Sequence, residues 1–298
     1  MSHPFEKTSR IWPAQELIDF AFGKATSQTA SLPTVLSNLE KVRRKEKKRI
    51  ENTVNVLVEK IKRIVEEVPN LEELPQFYKQ LSHLLVNNDE LRVALARING
   101  TIPVIIKLQK DYSRRINKET SAKNVGDTRV EFFGRCASVI KKQAETLLFL
   151  EEARLKLMQV PSINLNMPCV VVAGYPNVGK SSIVASISSA KPQISDYPFT
   201  TKQIFIGMYQ DKLGSRFFQV IYTPGVLDRP MSDRNEIEKQ AILALNTIAT
   251  VVLFVFDPTH ASGYEISHQL ALFHEIKQDL IGNLEIPIKI IKIGRAHV

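Results

Sequence analysis

The sequence predicts an α + α/β protein: an N-terminal antiparallel helical bundle, then a mostly parallel sheet with helices on both faces. Three observations predict it. Apolar residues recur with a helical period through the first half, and strand-sized apolar runs replace that period from Pro168 onward. The composition changes at the same place, since four of the twelve glycines precede residue 160 and eight follow it. Charge divides there too: of the net +9, residues 1–160 carry +8 (28 Lys/Arg against 20 Asp/Glu) and the remainder +1. A length of 298 residues at 44% hydrophobic suffices for two domains with real cores. The expected boundaries are 1–160 for the bundle, 161–167 for a linker and 168–292 for the sheet domain.

Taken in order, Val54, Leu57, Val58, Ile61, Ile64 and Val65 follow the i, i+3, i+4, i+7 spacing of one buried stripe, so a long helix is expected from about Leu36 to Glu67. Asn70 and Pro75 interrupt it, and a short helix follows over Gln76 to Leu85. Asn88-Asp89 reads as the cap of a helix running towards Asn117, kinked at Gly100 and Pro103. A last helix is expected from about Asp127 to Met158, with Phe133, Ile140, Ala144, Leu147 and Leu148 on its core face. Rods of this length and polarity bury one stripe each by packing antiparallel. Beyond them, Cys169–Ala173, Phe217–Tyr222 and Val251–Phe256 read as buried strands, each followed by a helical segment, with a further strand over Ile286–Ile291.

Composition excludes several classes. Two cysteines, Cys136 and Cys169, make no disulfide framework, and no disulfide partner is expected. No basic-then-apolar leader opens the chain and no run of about 18 apolar residues occurs, so the expected setting is the cytoplasm, away from membranes.

The chemistry is concentrated after the first of these strands. Gly174-Tyr175-Pro176-Asn177-Val178-Gly179-Lys180-Ser181, followed by Ser182, is G-x-x-x-x-G-K-S between a strand and a helix. A triphosphate needs many inward-turned N–H donors, which a glycine loop at the positive end of a helix supplies. Lys180 is then expected on the β- and γ-phosphates and Ser181 on magnesium. Asp196-Tyr197-Pro198-Phe199-Thr200-Thr201-Lys202 is polar and turn-rich, as a loop folding over nucleotide is. Thr223-Pro224-Gly225-Val226-Leu227-Asp228 follows the next strand, with Gly225 placed to turn its N–H onto the γ-phosphate.

These motifs resemble the Obg-related, translation-factor-like GTPases, and within them the Nog-type nucleolar GTP-binding proteins and their archaeal relatives. The residues that carry the resemblance are 174–181, Phe199-Thr200-Thr201-Lys202, Thr223-Pro224-Gly225, Asp233-Arg234-Asn235-Glu236-Ile237-Glu238 with Gln240-Ala241-Ile242, and Phe256-Asp257-Pro258. Gly134-Arg135 with Val139-Ile140-Lys141-Lys142-Gln143, the opening helix and the basic segment after it extend the resemblance over nearly the whole chain. It implies GTP and GDP as ligands, magnesium held by Ser181 and Thr201, and a role in assembling the large ribosomal subunit on ribosomal RNA. It also implies a nucleolar setting if the source is eukaryotic, potassium held by Asn177, and catalytic roles for Lys180, Thr201 and Gly225.

Three departures stand out. Tyr222 replaces the aspartate that relatives place before Thr-Pro-Gly, and a phenol cannot hold a magnesium-bound water as a carboxylate does. Val226 stands where Ras-like enzymes have a water-orienting glutamine, a feature the family shares. The guanine-reading Asn-Lys-x-Asp is expected after Ile291, but the chain reads Ile293-Gly294-Arg295-Ala296-His297-Val298, which looks like a translated adapter; residues 293–298 are therefore read as a non-native tail.

A second site lies in the bundle. Lys41, Arg43, Arg44, Lys45, Lys47, Lys48 and Arg49 put seven cations in nine helical positions, with Lys41, Arg44, Lys45 and Lys48 on one face, and they read as an RNA-docking surface. His83, His260, His268 and His274 lack metal-ligand spacing, and Asp257 reads as a turn or cap residue. The function expected is a GTP-switched assembly factor with low intrinsic hydrolysis. Two rivals are a general Obg-like or tRNA-modification GTPase and a nucleotide-dependent RNA-binding scaffold that does not hydrolyse GTP.

Overall fold

A computed structural model describes residues 3–27, 36–188, 193–196, 203–210, 217–222, 227–229, 233–234, 236–281 and 286–292. Among them, seven helices precede the first strand: α1 (Ala14–Ser27), α2 (Asn38–Glu67), α3 (Gln76–Leu85), α4 (Asn88–Asn99), α5 (Thr101–Lys118), α6 (Ala122–Lys141) and α7 (Ala144–Leu157). The chain forms two units. One comprises Lys7–Pro69 with Asn88–Leu155, the other Met1–Glu6, Asn70–Asn87 and Lys156–Val298.

In the helical unit, α2 packs on α1, α4, α5 and α6, and α5 packs on α6. Its start is fixed by a capping box: Ser37 Oγ accepts the Glu40 N–H, and the Glu40 carboxylate accepts the Ser37 N–H. Ile50, Val54, Leu57 and Ile61 form its buried stripe, while Val58, Ile64 and Val65 are half-buried. Burying four such aliphatic side chains contributes about 1.5–3 kcal/mol each. The single helix expected to kink at Gly100 and Pro103 is instead two, divided at Gly100, whose N–H closes α4 onto the Ala96 carbonyl at 2.9 Å. Pro103 then sits in the first turn of α5, where its missing N–H leaves no helical acceptor unsatisfied.

The expected single helix over Asp127–Met158 is two. α6 ends at Lys141, the Gln143 N–H turns back to the Ile140 carbonyl at 2.9 Å, and α7 restarts one residue later. The buried stripe keeps its helical spacing across the break. Phe132, Cys136 and Ile140 are buried before it, and Leu147, Leu150, Ala153 and Leu157 after it. Ala144 and Leu148, expected in the core, are exposed, Leu148 by 59%. Phe133 is half-buried and stacks on Phe22 at 4.5 Å.

The second unit is built on six strands: β1 (Cys169–Ala173), β2 (Gln193–Asp196), β3 (Gln203–Gln210), β4 (Phe217–Tyr222), β5 (Val251–Phe256) and β6 (Ile288–Lys292). Their order is β2-β3-β4-β1-β5-β6. β4, β1, β5 and β6 run parallel, as expected, and β2 and β3 form an antiparallel edge that the sequence did not announce. Helices α8 (Lys180–Ile187), α9 (Glu236–Ala244) and α10 (Ile266–Glu275) complete it.

This unit also holds α3. Residues 70–87, expected in the bundle, group with the sheet, and α3 packs on α9 and on the 3-10 turn Leu245–Thr247 that follows it. The segment expected as the linker, 161–167, makes buried contacts of its own. The Tyr78 hydroxyl donates to the Ile163 carbonyl at 3.1 Å and accepts the Ile163 N–H at 3.0 Å. Buried Gln219 in β4 accepts the Asn164 N–H and donates to the Asn164 carbonyl at 2.7 Å. Buried backbone groups of a loop need such partners, and two side chains distant in sequence supply them.

Candidate nucleotide site and basic helix

The phosphate-binding motif lies at the carboxyl end of β1, where open α/β sheets bind ligands. Three of its residues have positive φ: Gly174 at 135°, Asn177 at 60° and Gly179 at 87°. Gly174 has no substitute, because a Cβ there would lie 2.6 Å from the Val255 carbonyl oxygen on the neighbouring strand. Its N–H donates to the Leu227 carbonyl at 3.0 Å, joining the loop to the segment after β4. Asparagine tolerates the left-handed region better than most residues, which suits exposed Asn177. Gly179 caps α8, whose first-turn N–H groups have no intrahelical acceptor.

Lys180 opens that helix and is buried at 4% exposure. Its ammonium donates to the Gly174 carbonyl at 2.6 Å and to that of Tyr175, and stands 5.9 Å from the centre of the Tyr222 ring. Among the described residues no carboxylate pairs with it. Burial pulls its pKa down to about 8, opposed by the charge of Asp228. A buried cation held by neutral carbonyls at a helix N-terminus is a site short of an anion. The loop therefore fits a phosphate chain.

Tyr222 ends β4, half-buried, opposite Val172 of β1 and Phe205 of β3. Its ring lies 5.7 Å from that of Phe205. Ser181 and Ser182 are exposed in the first turn of α8, where Ser181 has room to reach a cation. Thr201, Gly225 and their motif neighbours Thr200, Lys202, Thr223, Pro224 and Val226 lie outside the described residues, as does the 293–298 tail. Among the described residues no cluster of three His, Cys, Asp or Glu could hold a metal. Cys136 and Cys169 are buried free thiols, each pushed up to about 12 by burial.

Asp257 is a loop organiser. It is buried at the end of β5, and its carboxylate accepts the Thr259 N–H at 2.8 Å, the Thr259 hydroxyl at 2.5 Å and the Ser262 N–H at 2.6 Å. Burial raises its pKa, but these hydrogen bonds outweigh burial and hold it at about 2. Gln269, buried in α10, accepts the Asp257 N–H and donates to the carbonyls of Asp257 and Tyr264. The loop so fixed presents Tyr264, whose ring meets that of Tyr175 in the phosphate loop at 4.5 Å. Sequence reasoning missed this buttress, because an aromatic pair 89 positions apart leaves no local signal.

On α2 the seven cations divide. Arg44, Lys45 and Lys48 are exposed, and Lys41 is half-exposed. Arg43 donates to the Glu119 carbonyl at 2.6 Å, Lys47 to Asn117 Oδ1 at 3.0 Å, and Arg49 to Glu46 at 2.8 Å. Buried Glu46 also takes Arg129 at 2.9 Å, so part of the basic run neutralises charge inside the bundle.

Strand, glycine loop, helix and buried lysine define a P-loop nucleotide-binding domain, here joined to a basic helical bundle. A model described as the NOG1 N-terminal helical domain matches residues 5–164, and one described as a 50S ribosome-binding GTPase matches residues 169–290. An uncharacterized protein of Methanocaldococcus jannaschii is 34% identical over 281 residues, covering 93% of this chain and 77% of its own. Nucleolar GTP-binding protein 1 of Arabidopsis thaliana is 35% identical, covering 93% of this chain and 41% of its own. The protein of that name from Encephalitozoon cuniculi is 34% identical, covering 91% and 51%. The chain belongs to the nucleolar GTP-binding protein 1 family, and spans about two fifths to one half of the length of those two named relatives.

Proposed function

We propose that the protein is a GTP-binding switch that works on ribosomal RNA during assembly of the large ribosomal subunit. The observation that carries the nucleotide half is Lys180, buried, cationic and short of an anion in a loop of N–H donors. In this reading its ammonium leaves the Gly174 and Tyr175 carbonyls for the β- and γ-phosphates, and Ser181 and Thr201 hold magnesium, which offsets phosphate charge. Gly225 turns its N–H to the γ-phosphate, and Asn177 is the candidate ligand for potassium. The family name supports guanine as the base.

Support for the RNA half is the exposed Arg44, Lys45 and Lys48 in a half of the chain carrying +8. Crosslinking and sequencing of RNA bound to the protein in cells tests it. Large-subunit ribosomal RNA is the expected catch, and a catch dominated by transfer RNA would replace this reading with the tRNA-modification one. Tyr222 favours a second reading, in which the same site binds GTP and hydrolysis is slow or absent. Single-turnover hydrolysis separates the two.

A further inference from the structure

Apart from the basic stretch of α2, the helical unit has a concave site that mixes aromatic rings with cations. The segment leading into α1 and the last two turns of α2 line a cavity of about 260 Å³ that includes Arg10, Trp12, Lys60, Arg63 and Glu67. Trp12 is the chain's only tryptophan and is half-buried. It meets Phe20 edge-on, with ring centres 4.7 Å apart. The Lys60 ammonium stands 4.4 Å from the Trp12 ring centre and 5.3 Å from that of Phe20, and the Lys24 ammonium is 4.9 Å from Phe20.

The carboxylates of this region are already engaged. Glu67 accepts the N–H and hydroxyl of Ser9 and pairs with Arg63, and Glu16 pairs with Arg10 at 3.1 Å. Among the described residues Lys60 therefore meets ring faces and no carboxylate. Trp12 is half-exposed beneath a cation whose contacts a stronger anion would displace.

We infer that this cleft holds one unpaired RNA nucleotide, with its base against Trp12 and its phosphate on Lys60 beside Arg10. Base stacking on an aromatic side chain and a cation for the adjoining phosphate are the two halves of single-strand recognition. The volume suits it, being below the about 300–1,000 Å³ of pockets that enclose drug-sized ligands and adequate for one planar ring system. Bases inside a duplex are already stacked, so the cleft selects loops, bulges or ends. The inference rests on the RNA-docking reading and deepens it by giving the bundle a preference for unpaired nucleotides.

Because Trp12 is the sole tryptophan, its fluorescence reports the site directly in the unaltered full chain. Binding of a single-stranded oligoadenylate, a duplex of equal length and heparin is followed by fluorescence anisotropy of labelled ligand and, in parallel, by Trp12 emission. The expected result is strong quenching by the oligoadenylate and little by the duplex or by heparin, which has charge without bases. Trp12→Phe keeps oligoadenylate affinity within about threefold, Trp12→Ala weakens it about tenfold, and Lys60→Gln lowers the salt slope by about one. If all three polyanions bind but Trp12 emission responds alike to each, the cleft is not a base site and the docking reading stands. If none binds, both fall.

Discussion

In the proposed reading, Lys180 and the cations of α2 meet phosphate in opposite ways. Lys180 is buried, held by two loop carbonyls and pulled down to about 8 by burial, so its charge is paid for in advance by the fold. Arg44, Lys45 and Lys48 are exposed on one helix face, with Lys48 paired to Glu51 at 3.0 Å. A preorganised, desolvated cation gives tight binding to one ligand of matching shape. A solvated row gives long-range attraction that salt screens and that does not discriminate sequence. If both sites act as proposed, the comparison teaches that the two halves of this chain divide specificity from reach.

The largest effect expected from breaking this contrast is at Lys180. Lys180→Met removes an uncompensated buried charge, so the nucleotide-free protein should gain thermal stability while fluorescent GTP binding weakens more than 100-fold, about 3 kcal/mol or more. The sign follows from linkage. The folded pKa of about 8 lies below the unfolded value near 10.4, so above pH 8 the unfolded chain binds more protons and the nucleotide-free wild type should become more stable towards pH 10. Melting curves across pH 7–10 check this, and a Lys180→Met variant that still follows the wild-type rise would show the lysine is not its source.

On the helical side the same operation should do the reverse. Arg44→Ala, Lys45→Ala and Lys48→Ala together are expected to leave stability within about 0.5 kcal/mol per site, since exposed charges contribute little. Log K for RNA against log salt should flatten by about 2 to 3. Arg43→Ala and Lys47→Ala are the counterpart pair. These side chains tie α2 to the half-buried Glu119 carbonyl and to exposed Asn117 at the end of α5, so their loss should cost some stability, more at Arg43 than at Lys47, and leave the slope nearly unchanged. An equal slope change from both sets would mean that the division of the basic run is not functional.

How much of this was legible in the sequence differs between the halves for a physical reason. Local signals were read: the α2 stripe, α3, the Gly100 break, the parallel strands and the phosphate loop, whose glycines are demanded by backbone angles and by Val255. What escaped depends on partners far along the chain. Nothing at Lys142-Gln143 signals the α6–α7 break, and Leu148 is exposed because the stripe set by Phe132, Cys136 and Ile140 runs on through Leu147 and Leu150. Residues 70–87 are as helical as their neighbours, and only their contacts with α9 and the Tyr78 grip on Ile163 place them with the sheet. β2 pairs antiparallel with β3 and β3 with β4, a choice that the short apolar run Ile204-Phe205-Ile206 does not by itself dictate.

The smallest effect concerns Tyr222, which tests whether the specific half of the division is complete. The tyrosine ends β4 half-buried, with Lys180 above its ring, where a carboxylate would offset the buried ammonium and hold a magnesium-bound water. A phenol, which lacks the paired oxygens of a carboxylate, does neither. Tyr222→Asp is therefore expected to tighten magnesium-dependent GTP binding about tenfold, roughly 1.4 kcal/mol, and to raise single-turnover hydrolysis. The new carboxylate also competes with phosphate for Lys180, so binding measured without magnesium should weaken. This opposite response to the cation separates a magnesium role from a general gain in stability. If the aspartate variant binds GTP no better with magnesium than Tyr222 does, the preorganised cation alone carries the site, and the non-hydrolysing switch becomes the stronger reading of the protein.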